Sequence, residues 1–206
     1  MSENAKLTVE DKYRLILKRE QGFAKTVALQ VIEKPALSVW MILIPIVFLH
    51  YFYNYRRFHA GVEGFATEFI YTRKVALEAA FAVLERGLGK HEAISEADYQ
   101  KNTGVSVKAL KVHQSQLREI DLLFDHYEKL LRADGRDYES LVRQAYLNGT
   151  GYSAVLAEVS ERESETIRMM KESLQKEGFT EIMARVESAV REARKQEVRK
   201  IFSEKP

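Results

Sequence analysis

Apolar positions along this chain follow two patterns. Most recur every three or four residues, the period of a helix with one buried face. One stretch, Pro35 to Tyr55, abandons that period and carries no formal charge over 21 residues.

The periodic stretches predict a series of helices. In residues 8–34, Val9, Tyr13, Ile16, Phe23, Val27 and Val31 mark one stripe, while Lys12, Lys18, Arg19 and Lys25 fall on other faces. Thr8 and Asp11 have the spacing of a capping box. Such a helix either lies on anionic headgroups or packs on the C-terminal part of the chain. Further on, Phe65, Phe69, Leu77, Ala80, Phe81, Leu84 and Leu88 form a second stripe, closed by Gly87 and Gly89. Ser95 is placed to cap a short helix ending by Asn102, and Ser106 to open a long one. In the long helix Leu110, His113, Leu117, Ile120, Phe124, Tyr127 and Leu131 alternate at spacings of three and four, a heptad-like interaction seam. Asp134-Gly135 ends it, and Asp137 starts a helix that runs to Asn148-Gly149. Thr150-Gly151-Tyr152-Ser153 reads as more turn punctuation. From Ser153 to Phe202 the chain is mixed-charge helix broken at Gly178-Phe179, with Ile182, Met183, Val186, Val190 and Ala193 on one face. That predicts a hairpin or projecting helical pair able to meet a partner helix. The fold class is therefore all-α, and the scarcity of turn residues (10 Gly, 3 Pro) argues the same way.

The uncharged run changes the picture. As a helix, 21 residues extend about 31 Å, close to the ~30 Å hydrocarbon core of a bilayer. A core helix of a soluble protein rarely goes so long without a charge, and a signal peptide does not follow 34 other residues or end in bulky aromatics. Trp40 near the start and Tyr51, Tyr53 and Tyr55 near the end suit the two interfacial belts, with Arg56 and Arg57 just beyond. The expected architecture is a membrane-anchored helical protein: one transmembrane segment, Pro-kinked or re-entrant, and a multi-helix soluble domain. Pro45 sits at the midpoint of the run, where it removes a helix hydrogen bond. Lys18, Arg19, Lys25 and Lys34 precede the run, and Arg56, Arg57, Arg73 and Lys74 follow it, so the positive-inside rule does not orient it. A kinked single span is the expected path. A hairpin with both flanks cytoplasmic is the alternative, although each arm of about ten residues reaches only ~15 Å. The soluble domain is expected on the cytoplasmic side. The chain divides into 1–34 (amphipathic helix), 35–55 (transmembrane), 56–90 (juxtamembrane helix), 91–157 (helical hairpin module) and 158–206 (charged helices).

Charge and candidate chemistry narrow the function less. Residues 1–34 hold seven Lys/Arg and five Asp/Glu; residues 56–206 hold 25 of each, so the large C-terminal part has no global basic character. The absence of Cys excludes disulfides, thiolate metal sites and thiol nucleophiles. None of the five histidines (His50, His59, His91, His113, His126) belongs to His-Glu-x-x-His or follows a Glu by three residues. His113 falls on the apolar seam and reads as a satisfied core or rim histidine. No phosphate-cradling Gly-rich loop or Gly-x-Ser-x-Gly elbow is present.

Residues Glu96 to His113, EADYQKNTGVSVKALKVH, resemble a helix-turn-helix, with Gly104 in the turn and the helix from Ser106 as the reading helix. Lys101, Lys108, Lys111 and Arg118 would then meet phosphates. The pattern departs at Gln100, where a small residue normally lets the two helices close, and in the length of the second helix. The sequence therefore leads to a membrane-anchored helical interaction or scaffold protein, without cofactor or catalysis. Its expected partners are membrane lipid and another protein or a second copy. A tethered DNA-binding regulator stands as the alternative, and a small membrane enzyme with an unrecognised site as the third reading.

Overall fold

The computed structural model describes residues 6–32, 63, 66, 69–98, 107–174 and 179–203, without the side chains of 107–110, 171, 173, 174 and 179. Among them the chain is all-helical: α1 (Val9–Val31), α2 (Tyr71–Arg86), α3 (Lys90–Ala97), α4 (Val107–Arg132), α5 (Tyr138–Tyr146), α6 (Gly149–Leu174) and α7 (Phe179–Phe202). No helix of the described residues is long and apolar enough to cross a membrane. The run 35–55, with Trp40, Pro45, Tyr51, Tyr53 and Tyr55, lies outside the described residues, as do Arg56 and Arg57.

Local chemistry explains the boundaries. Thr8 and Asp11 form the expected capping box, each side chain taking the other's backbone N–H at 3.1 Å. Asp137 and Ser140 form a second one on α5. α2 ends at Gly87, whose φ of 67° is the left-handed conformation that closes a helix without a Cβ penalty. Two expectations are corrected. The short helix does not start at Ser95 but runs from Lys90 to Ala97, because Gly89 supplies the extended cap and Ala93 and Ile94 are buried against the core. Thr150 to Ser153 are not a turn. Asn148 Oδ1 takes the Gly151 N–H at 2.8 Å, so α6 begins at Gly149 and the Thr-Gly-Tyr-Ser stretch forms its first turn.

Leu147, between α5 and α6, holds φ 62° while 84% exposed. A branched side chain there costs about 1–2 kcal/mol of backbone strain with no packing in return. Leu147→Gly is expected to raise stability by roughly 1 kcal/mol, read as a higher denaturation midpoint.

α2 packs most extensively on α4, which also carries α6; α1 lies along α7, and α7 along α6. The main core joins Ile16, Leu77, Ile120, Phe124, Tyr127, Leu130, Leu131 and Tyr152. A smaller cluster joins Phe23, Val27 and Val31 of α1 to Val186 and Val190 of α7, with Phe69 against it. The C-terminal helices are thus not a projecting pair. They pack on each other and against α1, α4 and α5. The amphipathic α1 packs on α7, the second of its two expected settings.

Candidate functional site

The core contains charge. Arg73 of α2 is 4% exposed and lies on the same stripe as Phe69, Leu77 and Ala80. Its Nε meets Glu20 Oε2 of α1 at 3.0 Å and its Nη2 meets Glu163 Oε1 of α6 at 2.5 Å. Its guanidinium lies 4.8 Å from the Phe69 ring centroid. Arg194 of α7 grips Glu163 from the other side, Nη1 and Nη2 on the two carboxylate oxygens, both at 2.9 Å. It also donates to Ser160. One carboxylate thus ties three helices together.

Beside this pair, Glu119 of α4 is 4% exposed. Thr72 Oγ1 donates to its Oε1 at 2.6 Å, the only hydrogen bond it takes among the described residues. Burial raises its pKa to about 7, helped by the Glu163 charge and opposed by the Thr72 hydrogen bond, Arg73 and Arg194. Burial opposes the ionisation of Glu163 too, but Arg194 and Arg73 outweigh it and lower its pKa. Burial works against the charge on Arg73, and the Glu163 and Glu20 carboxylates overcome it and hold the guanidinium protonated.

A second cluster continues toward α5. Arg19 meets Glu197 at 3.4 Å, Tyr152 donates to Glu197 at 3.3 Å, and the Tyr138 and Tyr152 hydroxyls lie 3.2 Å apart. His126 Nδ1 and the Tyr146 hydroxyl share a hydrogen bond of 2.5 Å. Burial, with Arg194, Arg73 and Lys129 nearby, pushes the His126 pKa down to about 3, so the ring stays neutral. A cavity of about 30 Å³ sits among Arg19, Glu20, Tyr127 and Glu197. Arg19 Nε and the Tyr127 hydroxyl are buried without a hydrogen-bond partner. Burial, and after it the Glu20 charge, hold the Tyr127 hydroxyl protonated, yet no hydrogen bond of ordinary geometry joins it to Glu20.

Clefts also open between the helices. One, about 290 Å³, lies between α2, α4, α6 and α7; Phe69, Ile167, Met170, Met183 and Val186 wall it, and Thr72, Arg73, Glu119 and Glu163 border its polar side. The other, about 710 Å³, lies between α3, α4 and α6. There Tyr71 donates to the buried Asp98, whose Oδ2 lies 3.2 Å from His113 Nε2. Among the described residues no three His, Asp or Glu side chains gather closely enough to hold a metal ion.

The residues singled out from sequence are distributed differently. Ile120, Phe124, Tyr127 and Leu131 are buried in the chain's own core and Leu117 packs against it, so their apolar contacts are made within one molecule. The Leu110 and Lys108 side chains and all of Lys101 lie outside the description. Lys111 is exposed; Arg118 is exposed and paired with Glu165 at 3.3 Å. The turn at Gly104 also lies outside the described residues, and α3 stops at Ala97, short of it. Glu20, Arg73, Glu119, Glu163 and Arg194 were not singled out from sequence. Their signal is the interruption of an apolar stripe by a charge at helical spacing, repeated on five helices with opposite signs.

The chain matches no protein-family model, no curated protein and no solved structure. What it does has to be read from these groups alone.

Proposed function

We propose that this is a membrane-anchored helical interaction protein, held by the run 35–55, with the helical body as the part that meets other molecules. The run's length, its aromatic belts and its lack of charge support the anchor. A binding role suits the body, since most of its buried ionisable groups are committed to one another.

The observation that carries the reading is the packing of the two helices that flank the run. α1 precedes it and α2 follows it, and they lie against each other. The Tyr13 and Phe81 rings meet at a tilt with centroids 4.8 Å apart, those of Phe23 and Phe69 lie 6.2 Å apart, and Arg73 bonds Glu20. The chain leaves α1 at Val31 and returns at Phe69 to the same apolar cluster. The described residues on the two sides of the run, Val31 and Phe69, then belong on one side of any bilayer the run enters. This favours the re-entrant path, with Pro45 at its midpoint, over the single span, and gives a reason for equal basic flanks. Leu29 and Ile182, about half exposed, lie near this end.

The chain lacks cysteine, so single thiols report its topology cleanly. Lys25→Cys in α1 and Lys74→Cys in α2, both exposed, are expected to react with an impermeant maleimide from the same face of sealed vesicles. The protein is expected to stay with the membrane through an alkaline carbonate wash. Labelling from opposite faces would sink the one-sided anchor, and release by carbonate would sink the anchor altogether.

A further inference from the structure

We infer that the cleft between α2, α4, α6 and α7 binds a neutral, membrane-resident amphiphile through a carbonyl head, with Glu119 as the hydrogen-bond donor. The walls fit an apolar body. Phe69, Ile167, Met170, Met183 and Val186 surround about 290 Å³, near the lower end of small-molecule sites. Two of them are methionines, whose unbranched side chains adapt to ligand shape.

The polar side selects the head. Glu119 is almost wholly buried, yet only its Oε1 has a partner, the Thr72 hydroxyl. Oε2 takes no hydrogen bond from the described residues, and the side chain borders the cleft. Oε2 is not among the fully buried unpaired atoms and keeps surface on the cleft side, so a ligand that fills the cleft either pairs with it or leaves it unpaired at a cost in free energy. Because Oε1 accepts from Thr72, the proton of the neutral acid belongs on Oε2, which then donates toward the cleft.

Charge excludes the other heads. The groups around Glu119 are Arg73 of α2, Glu163 of α6 and Arg194 of α7, with Glu20 of α1 behind Arg73. Two guanidiniums face Glu20 and Glu163, so this set is balanced when Glu119 is neutral. An anion would meet a carboxyl with both arginines already engaged. A cation would need Glu119 ionised in a site that resists its charge, and an apolar ligand dries that site further.

Location gives the source. Phe69, Met183 and Val186 of the cleft belong to the cluster where the chain leaves α1 and returns toward α2. The opening thus lies at the end of the body that the anchor reading puts against the bilayer. The membrane source rests on that reading; the carbonyl chemistry does not.

The test uses the full-length protein in lipid nanodiscs, with empty nanodiscs subtracting partition into lipid. Three probes of similar chain length are titrated calorimetrically: 2-undecanone (neutral acceptor), decylamine (cation) and decanoate (anion). The ketone is expected to bind best. Its affinity is expected to fall about tenfold from pH 6 to pH 8, as the protonated fraction of a group with pKa about 7 falls. Glu119→Gln, which keeps an acceptor for Thr72 and a donor toward the cleft, is expected to remove the pH dependence. Met183→Trp, which fills the cleft without touching the charges, is expected to abolish binding. A carboxylic-acid infrared band that shifts on adding the ketone and is missing in Glu119→Gln would report the donor directly. Tighter binding of decylamine with affinity rising toward pH 8, preference for decanoate, or ketone binding untouched by Met183→Trp would overturn the proposal. These results are independent of the maleimide labelling, so failure of the cleft and failure of the anchor are separately visible.

Discussion

Replacing Arg73 with methionine is expected to destabilise the protein by about 3–5 kcal/mol, the range for removing one partner of a buried ion pair. Methionine fills most of the arginine's volume and keeps its apolar stem, so lost packing is not the main effect. What remains is Glu20 without its ion pair and Glu163 with only Arg194. Glu20 already has a raised pKa from burial, with Arg73 the main influence holding it down. A carboxylate stranded there takes up a proton or draws in water, and either weakens the contact between α1 and α2. In a thermal melt the change amounts to roughly 10 °C for a chain of this size. Arg73→Lys is expected to fall between the two, because an ammonium cannot fork to two carboxylates on different helices. Glu20→Gln in the Arg73→Met background is expected to recover at least 1 kcal/mol, by the logic of a double-mutant cycle. A methionine variant within about 1 kcal/mol of the parent, with no rescue from Glu20→Gln, would mean that the network is ornamental to stability.

The helices themselves were legible because local chemistry set them. Thr8 with Asp11, Asp137 and Gly87 act through neighbours along the chain, and a reader of the sequence can see those neighbours. The α4 seam was legible as a stripe, but its partner was not. Ile120, Phe124 and Tyr127 have the same periodicity whether they face α2 and α6 of one molecule or a second copy. The polar core was missed for a related reason. Charged residues on a mixed-charge helix are usually solvated, so Glu163, Arg194 and Glu197 read as surface. Only the three-dimensional meeting of five helices shows that Arg73 and Arg194 converge on one carboxylate. The clue available in one dimension was positional. Glu20 falls between Ile16 and Phe23, and Arg73 between Phe69 and Leu77, each on a stripe that is otherwise apolar, while Arg194 and Glu197 together interrupt the stripe from Val190 to Ile201. A charge in such a place either breaks the helix's buried face or finds an opposite charge inside, and the second outcome makes the helices' register mutually dependent.

Whether the two flanks of the proposed anchor share a side was not legible either, and packing bears on it more than composition does. Equal basic flanks leave the positive-inside rule without a preference. The contacts of Glu20 with Arg73 and of Tyr13 with Phe81 supply a constraint that no count of charges contains. On the proposed reading, the cleft lies at the end of the body from which the anchor leaves, since Phe69, Met183 and Val186 belong to both.

Glu119→Gln is expected to make the protein more stable at pH 8, by about 3 kcal/mol, although it alters a buried hydrogen-bonded residue. The sign follows from two buried groups that titrate in opposite senses. Glu119 has its pKa raised from 4.5 to about 7, so between those values the folded state keeps a proton that the unfolded chain releases. Its contribution is fully present below pH 4.5 and is lost as pH rises through 7. His126 has its pKa lowered from 6.5 to about 3, so there the unfolded chain takes up a proton that the folded state refuses. Its contribution is present above pH 6.5 and is lost as pH falls toward 3, by about 5 kcal/mol in all. Between pH 4.5 and 6.5 the two slopes cancel, and the parent's stability from this pair is nearly level. Glutamine removes one slope and leaves the other. The variant is therefore expected to match the parent near pH 4.5, gain on it steadily up to pH 7, and hold its full advantage above. Below pH 6.5 it loses stability with falling pH where the parent stays level. Replacing His126 with phenylalanine would remove the complementary slope, but it strands the Tyr146 hydroxyl, so Gln is the cleaner probe. Unfolding followed by circular dichroism on the nanodisc-held chain at pH 5 and pH 8 reads both arms. Equal stability of parent and variant at pH 8 would show that Glu119 bears its charge at no cost, and with it the neutral acid at the head of the cleft would be lost.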